Sequence, residues 1–168
     1  MDPENVLAEY PRPQLARDSF LCLNGYWDYA ITKGAEPPSA FDGKILVPFS
    51  PESELSGVSR TLAPTETLWY KRELNLPDDY LYGRTLLHFG AVDQEAAVYV
   101  NDTFVFAHKG GYTPFTVELT PFVAGPITLL VRVVDGTGTT DHARGKQSSE
   151  RGGIWYTPQS GIWQTVWI

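Results

Sequence analysis

The sequence predicts an all-β domain, an antiparallel two-sheet β-sandwich of the jelly-roll kind. Apolar residues recur with a period of two in several short runs, and Gly and Pro punctuate the intervals between them. No segment sustains a 3.6-residue apolar stripe over the ~11–18 residues that an amphipathic helix needs. Many short strands without helical crossovers imply antiparallel pairing.

In chain order, residues 1–17 read as an N-terminal arm and 18–168 as the sandwich. Strands are expected at 26–31, 44–47 and 68–76. Residues 84–92 form a nearly continuous apolar run, short enough for a strand covered on both faces. Two β-rich arms, 97–100 and 103–106, flank Asn101-Asp102, a pair that tolerates positive φ and so predicts a two-residue hairpin. Phe115, Val117 and Leu119 alternate with Thr116 and Glu118. Ile127, Leu129, Val131 and Val133 alternate with Thr128, Leu130 and Arg132, giving one apolar and one mixed face. The last strand is expected at 162–168, with Trp163 and Trp167 sharing a face at i and i+4. That makes about eight or nine strands. Thr120-Pro121-Phe122 and Ser50-Pro51-Glu52 each place a capping hydroxyl before a first-turn proline, predicting single turns that end near Gly125 and Gly57. The chain stops in a strand with no polar tail, so a fragment of a longer chain is expected.

Composition narrows the function. The 168 residues suit one domain at about 150 residues per domain. Thirteen Lys and Arg against twenty Asp and Glu give a net charge of −7, which weighs against nucleic-acid and acidic-membrane partners. No apolar run approaches the ~18 residues of a membrane span. Cys22 stands alone, so neither an intrachain disulfide nor a Cys-based metal site is expected. A cytoplasmic location is expected, and export is compatible with the same residues.

Two long irregular stretches, 48–67 and 135–160, are where function is sought, because loops this long in a compact domain are seldom mere connections. The familiar chemical motifs are missing. His88, His108 and His142 lack zinc-type spacing to other ligands, so no metal is expected. Gly138 and Gly145-Lys146 are too far apart for a phosphate loop, and Gln147 stands where a hydroxyl is required. Gly136-Thr137-Gly138 lacks the third glycine of a dinucleotide fingerprint. Ser160-Gly161 lacks the leading glycine of a nucleophile elbow. The carboxylate pairs Glu52/Glu54 and Asp93/Glu95 read first as solvated loop acids, and Asn101-Asp102-Thr103 is explained by hairpin chemistry as well as by a glycosylation sequon. No catalytic residue and no cofactor is assigned. Trp155 and Tyr156 are the better ligand-contact candidates among the C-terminal aromatics, since Trp163 and Trp167 fit a core or a neighbouring domain.

A set of motifs in order resembles a known family. These are Arg12-Pro13; Leu23-Asn24-Gly25-Tyr26-Trp27; Val47-Pro48-Phe49 with Glu52-Ser53 and Ser56-Gly57; Trp69-Tyr70-Lys71-Arg72; His88-Phe89-Gly90-Ala91-Val92-Asp93; Val98-Tyr99-Val100-Asn101; His108 with Gly110-Gly111-Tyr112 and Phe115; and Ser160-Gly161-Ile162-Trp163. Together they resemble the N-terminal sugar-binding domain of family 2 glycoside hydrolases, the β-galactosidase and β-glucuronidase family. The resemblance implies a galactose-binding-type jelly roll. It also implies an immunoglobulin-like sandwich and a catalytic barrel elsewhere in the chain, with both catalytic glutamates on the barrel. This segment would be inactive alone and would wall one side of a sugar pocket. The residues it implies for pocket or domain contact are Glu52, Ser53, Arg144, Lys146, Gln147, Trp155, Tyr156 and Thr157. The aspartate that helps bind sugar and a cation in the family's β-galactosidases falls near Gly153 here, so no cation site is carried over. Carbohydrate and the remaining domains are the expected partners, and self-association is expected. A stand-alone carbohydrate-binding module and a protein-interaction sandwich stay open beside this reading.

Overall fold

The computed structural model describes residues 2–3, 5–15 and 17–168. Among these residues all regular structure is β, apart from three 3₁₀ turns. The strands are β1 (Gly25–Lys33), β2 (Gly43–Val47), β3 (Glu66–Leu74), β4 (Leu86–Phe89), β5 (Val92–Asp93), β6 (Glu95–Val100), β7 (Thr103–Lys109), β8 (Phe115–Glu118), β9 (Ile127–Val134), β10 (Gly161–Ile162) and β11 (Val166–Trp167). One layer is a six-stranded sheet in the order β2-β1-β3-β9-β6-β7. The other consists of a three-stranded sheet, β11-β4-β8, and a two-stranded one, β10-β5. Every pairing of these strands is antiparallel.

Period-two alternation places the core. On β9, Ile127, Leu129, Val131 and Val133 are buried, while Thr128, Leu130, Arg132 and Val134 are half-buried on the outer face. Trp27, Leu68 and Tyr70 of the large sheet join Leu87, Phe89, Phe115 and Val117 in one cluster. Burying each such large apolar side chain contributes about 1.5–3 kcal/mol. The hairpin between β6 and β7 turns at Asn101 and Asp102, with φ of 48° and 61°, as the turn residues predict.

Two expected strands are instead broken. The apolar run 84–92 divides into β4 and β5, which lie in different sheets, and the C-terminal run divides into β10 and β11. Both breaks occur at one crossing. The Gly90 N–H donates to the Thr165 carbonyl at 2.9 Å, and a Cβ on Gly90 would lie 2.7 Å from Gln164 Cβ. Chains this close cannot both continue as straight strands. In consequence Trp163 and Trp167 do not share a strand face. Trp163 donates its indole N–H to the Gly111 carbonyl at 2.7 Å, whereas Trp167 stacks on His88 at 5.0 Å. Nor is β4 covered on both faces: Leu87 and Phe89 are buried, but Leu86 and His88 are only half-buried.

The turns end where expected but are capped differently. The first 3₁₀ turn is Glu54–Ser56, capped by Ser53, whose Oγ accepts from the Leu55 N–H at 3.2 Å, so Ser50 is not its cap. Gly57 closes it with φ of 81°. In the Thr120–Phe122 turn, Thr120 Oγ1 accepts from the Thr85 N–H at 3.0 Å and does not cap its own turn. The remaining turn, Asp78–Leu81, lies before β4.

The described residues of 2–17 lie against the sandwich. Val6 is buried, Tyr10 meets Phe20 and Trp167 edge-on, and the Arg12 guanidinium sits over the Trp167 ring.

Candidate functional site

The two long loops meet at one edge of the sandwich, and buried polar side chains hold them there. Glu52 bridges them. Its Oε1 accepts from the Leu62 N–H and its Oε2 from the Ser160 N–H, both at 3.1 Å. Asp135, at the end of β9, accepts from Ser160 Oγ at 2.9 Å and from Thr137 Oγ1 at 2.7 Å through Oδ2. Asp93 is only 3% exposed, and its Oδ2 accepts from Gln147 Nε2 at 3.0 Å. The same Gln147 amide group donates to Tyr112 Oη at 2.9 Å, and its Oε1 accepts from the Gln159 N–H. Beneath this network the buried Tyr70 Oη accepts from the Ile162 N–H at 3.1 Å.

Each position has a local reason. Asp93 fits because residue 111 is glycine: a Cβ there would overlap its carboxylate. Gly161 holds φ of 76° and passes against Tyr70 Oη where a Cβ would overlap the hydroxyl. Burial dominates the electrostatics. It pushes the Asp93 carboxyl up to about 6, with the Gln147 hydrogen bond opposing the rise and the Asp135 and Glu52 charges adding to it. Burial also raises Glu52, against the hydrogen bonds from Leu62 and Ser160, and it raises Tyr112 and Tyr70.

Above this base the second loop closes on itself as a small hairpin. The Tyr156 N–H donates to the Lys146 carbonyl at 2.9 Å, and the Ser148 N–H to the Tyr156 carbonyl at 3.1 Å. At the tip, Gly152 and Trp155 exchange backbone hydrogen bonds in both directions. The tip residues Ile154, Trp155 and Tyr156 are 60%, 41% and 66% exposed. The Arg144 guanidinium lies 6.0 Å from the Trp155 ring centroid.

Of the residues expected from the sequence, Arg144, Lys146, Gln147, Trp155, Tyr156 and Thr157 share this loop. Lys146 is exposed, and Thr157 accepts from Arg151 at 3.4 Å. Glu52 reaches the loop through Ser160, whereas Ser53 is spent on its own turn. The carboxylate pairs are separated. Glu54 is exposed while Glu52 is tied to backbone, and Glu95 pairs with Lys109 and His142 while Asp93 is buried. The three histidines have separate partners: Thr116 for His88, Thr113 for His108 and Glu95 for His142. Among the described residues no group of three His, Cys, Asp or Glu could hold a metal ion. Tyr112, Asp135, Ser160 and Tyr70 had no signal in the sequence as members of one network.

The acids of the network are bound to N–H and O–H donors within the protein. Neither the cavity of about 500 Å³ against the N-terminal arm nor that of about 170 Å³ beside Tyr112 and Trp163 is lined by Glu52 or Asp93. Glycoside hydrolysis needs two carboxyls on either side of an open sugar site, and this arrangement instead fixes a loop that presents aromatic rings.

The family described as glycosyl hydrolases family 2, sugar binding domain, matches residues 52–167. The chain belongs to this family 2 sugar-binding domain. The sugar-binding domain is 32% identical over 102 residues to a β-galactosidase of Thermoanaerobacter pseudethanolicus, a match that covers 60% of this chain and 13% of that protein. It is 39% identical over 111 residues to a β-glucuronidase of Streptococcus agalactiae, covering 64% of this chain and 18% of that protein. A crystal structure of Bacteroides uniformis β-glucuronidase superposes with a TM-score of 0.62 at 25% identity, covering 89% of this chain and 17% of the other. The domain therefore spans less than a fifth of the length of these relatives.

Proposed function

We propose that this domain is the non-catalytic sugar-binding part of a hydrolase that cleaves O-glycosidic bonds, and that its 144–157 loop walls the substrate pocket of a catalytic domain elsewhere in the polypeptide. The observation that carries the reading is the exposed pair Trp155–Tyr156 on a loop whose base is pinned by Gln147. Exposed aromatic faces cover the C–H faces of sugar rings, and the Arg144 guanidinium beside Trp155, with the exposed Lys146 on the same loop, supplies donors for hydroxyls. The same loop serves as a docking edge for the catalytic domain. The lengths of the relatives support the placement of the acid and nucleophile outside this segment. Exposed Ile154, Trp155 and Tyr156 support some self-association when that edge is uncovered. The single, half-buried Cys22 is compatible with a cytoplasmic setting and equally with export.

The test has two arms. The 168-residue chain, given aryl β-galactosides and β-glucuronides, is expected to release no aryl alcohol. In the polypeptide that includes the catalytic domain, Trp155→Ala is expected to raise KM by about five- to tenfold with kcat within twofold, the signature of lost binding. Turnover by the chain alone overturns the non-catalytic reading, and an unchanged KM overturns the pocket-wall reading.

A further inference from the structure

The N-terminal arm lies against β4 and β11 and forms with them an open cavity of about 500 Å³. That volume lies within the range of small-ligand sites. Its lining differs from the rest of this acidic chain. Three arginines, Arg12, Arg17 and Arg84, face it with one acid, Asp79. Arg84 is held by Glu118 through two hydrogen bonds, of 3.3 and 2.9 Å. Arg12 and Arg17 have no carboxylate partner among the described residues.

Aromatic rings hold these two guanidinium groups in place. Arg12 lies 5.4 Å from the Trp167 ring centroid, and Arg17 lies 6.0 Å from that of Tyr10 while its Nε donates to Tyr10 Oη at 3.0 Å. A guanidinium docked on a ring has lost much of its freedom already, and its remaining N–H groups can bind a carboxylate or sulfate in a forked pair. Phe20 and Tyr82 add ring surface to the wall, with Tyr82 81% exposed. His88 joins them as a weakly basic ring, its pKa lowered by burial and by the Arg12 and Arg17 charges. Its Nδ1 is taken by Thr116 Oγ1 at 2.9 Å.

We propose that this cavity binds an anionic saccharide, a sugar ring bearing one carboxylate or sulfate, with Arg12 and Arg17 on the anion and the Phe20 and Tyr82 rings beside the sugar. The assignment rests on the arm and on β4 and β11, and does not depend on the reading of the 144–157 loop.

The test is an NMR titration of the chain that follows the Trp167 indole and the His88 ring. Methyl β-D-glucoside, methyl β-D-glucuronide and glucose 6-sulfate are the probes, and they differ chiefly in the anion. Saturable shifts with an anionic sugar are expected, with the neutral glucoside at least about tenfold weaker. Which of the two anions binds better assigns carboxylate or sulfate. Arg12→Gln with Arg17→Gln is expected to reduce binding to the level of the glucoside, and Trp155→Ala to leave it unchanged. Equal binding of neutral and anionic sugars overturns the proposal. So does anionic binding that survives the double substitution, or that is lost with Trp155→Ala and so belongs to the loop. If the double variant is misfolded by circular dichroism, the unaltered chain in about 0.5 M salt decides, because screening at that strength weakens guanidinium–anion contacts. Affinity that ignores salt overturns the assignment.

Discussion

Gln147 donates its side-chain amide to Asp93 across 54 positions of sequence, at 3.0 Å. The contact ties the loop that presents Trp155 to a buried carboxylate at the end of β5. The same amide group also reaches Tyr112, so one side chain fixes the loop at the level of the sheet edge.

Gln147→Ala is expected to lower stability by about 1–3 kcal/mol, because it leaves Asp93 buried without its donor. Gln147→Glu should cost more, since it sets a second carboxylate against the first. Urea denaturation at pH 7.5 measures both. A loss in the order Ala greater than Glu contradicts the assigned donor.

The Asp93 carboxyl is raised to about 6 from an ordinary 3.8. The folded state therefore holds a proton that the unfolded state has released across that interval. The group's contribution is greatest below pH 4 and is lost as pH rises through 6, a fall of about 2–3 kcal/mol. Glu52, also raised, acts in the same direction, whereas Glu66 is lowered and acts oppositely, losing stability as pH falls. Comparison with Asp93→Asn isolates the term. The variant should gain on the unaltered chain between pH 4 and 7, and parallel stability curves would contradict it.

Gly161→Ala is expected to cost about 3 kcal/mol or more, through both the positive φ and the overlap with Tyr70 Oη. Tyr70→Phe alone should cost about 1–3 kcal/mol by leaving the Ile162 N–H without an acceptor. Combined, the two should cost less than their sum, because removing the hydroxyl makes room for the methyl group. Thermal unfolding of the four proteins reads the coupling, and strict additivity would contradict the contact.

Trp155→Ala should leave stability within about 0.5 kcal/mol, because the ring is 41% exposed and sits at the loop tip. A larger loss in urea denaturation would mean that the ring supports the fold and is not kept for a partner.

Much of the fold was legible in the sequence. The alternation of β9 and the Asn101-Asp102 hairpin follow from local rules, since period and turn chemistry need no distant partner. The breaks at Gly90 and at residues 163–165 were not legible, because each exists only where the other passes. A hydroxyl before a proline reads as a cap, but the first turn starts three residues later and takes Ser53 as its cap, while a long-range contact turns Thr120 towards Thr85. At the site, the loop residues could be named from their resemblance to the family. The network beneath them could not, because Asp93, Tyr112, Asp135 and Ser160 converge from four separate stretches of chain.

The anchoring of the 144–157 loop divides it into two parts with different freedom to change. Its foot is locked by the Gln147 side chain, which donates to the buried Asp93 and to Tyr112 and accepts from the Gln159 N–H of the same long loop, so changes at Gln147 are felt by the whole domain. Its tip, from Gly152 to Trp155, is closed by its own backbone hydrogen bonds. The tip is thus an exchangeable cassette on a fixed mount. Substitutions confined to these few residues would change the surface offered to a sugar or a neighbouring domain while the contacts of the foot stay in place.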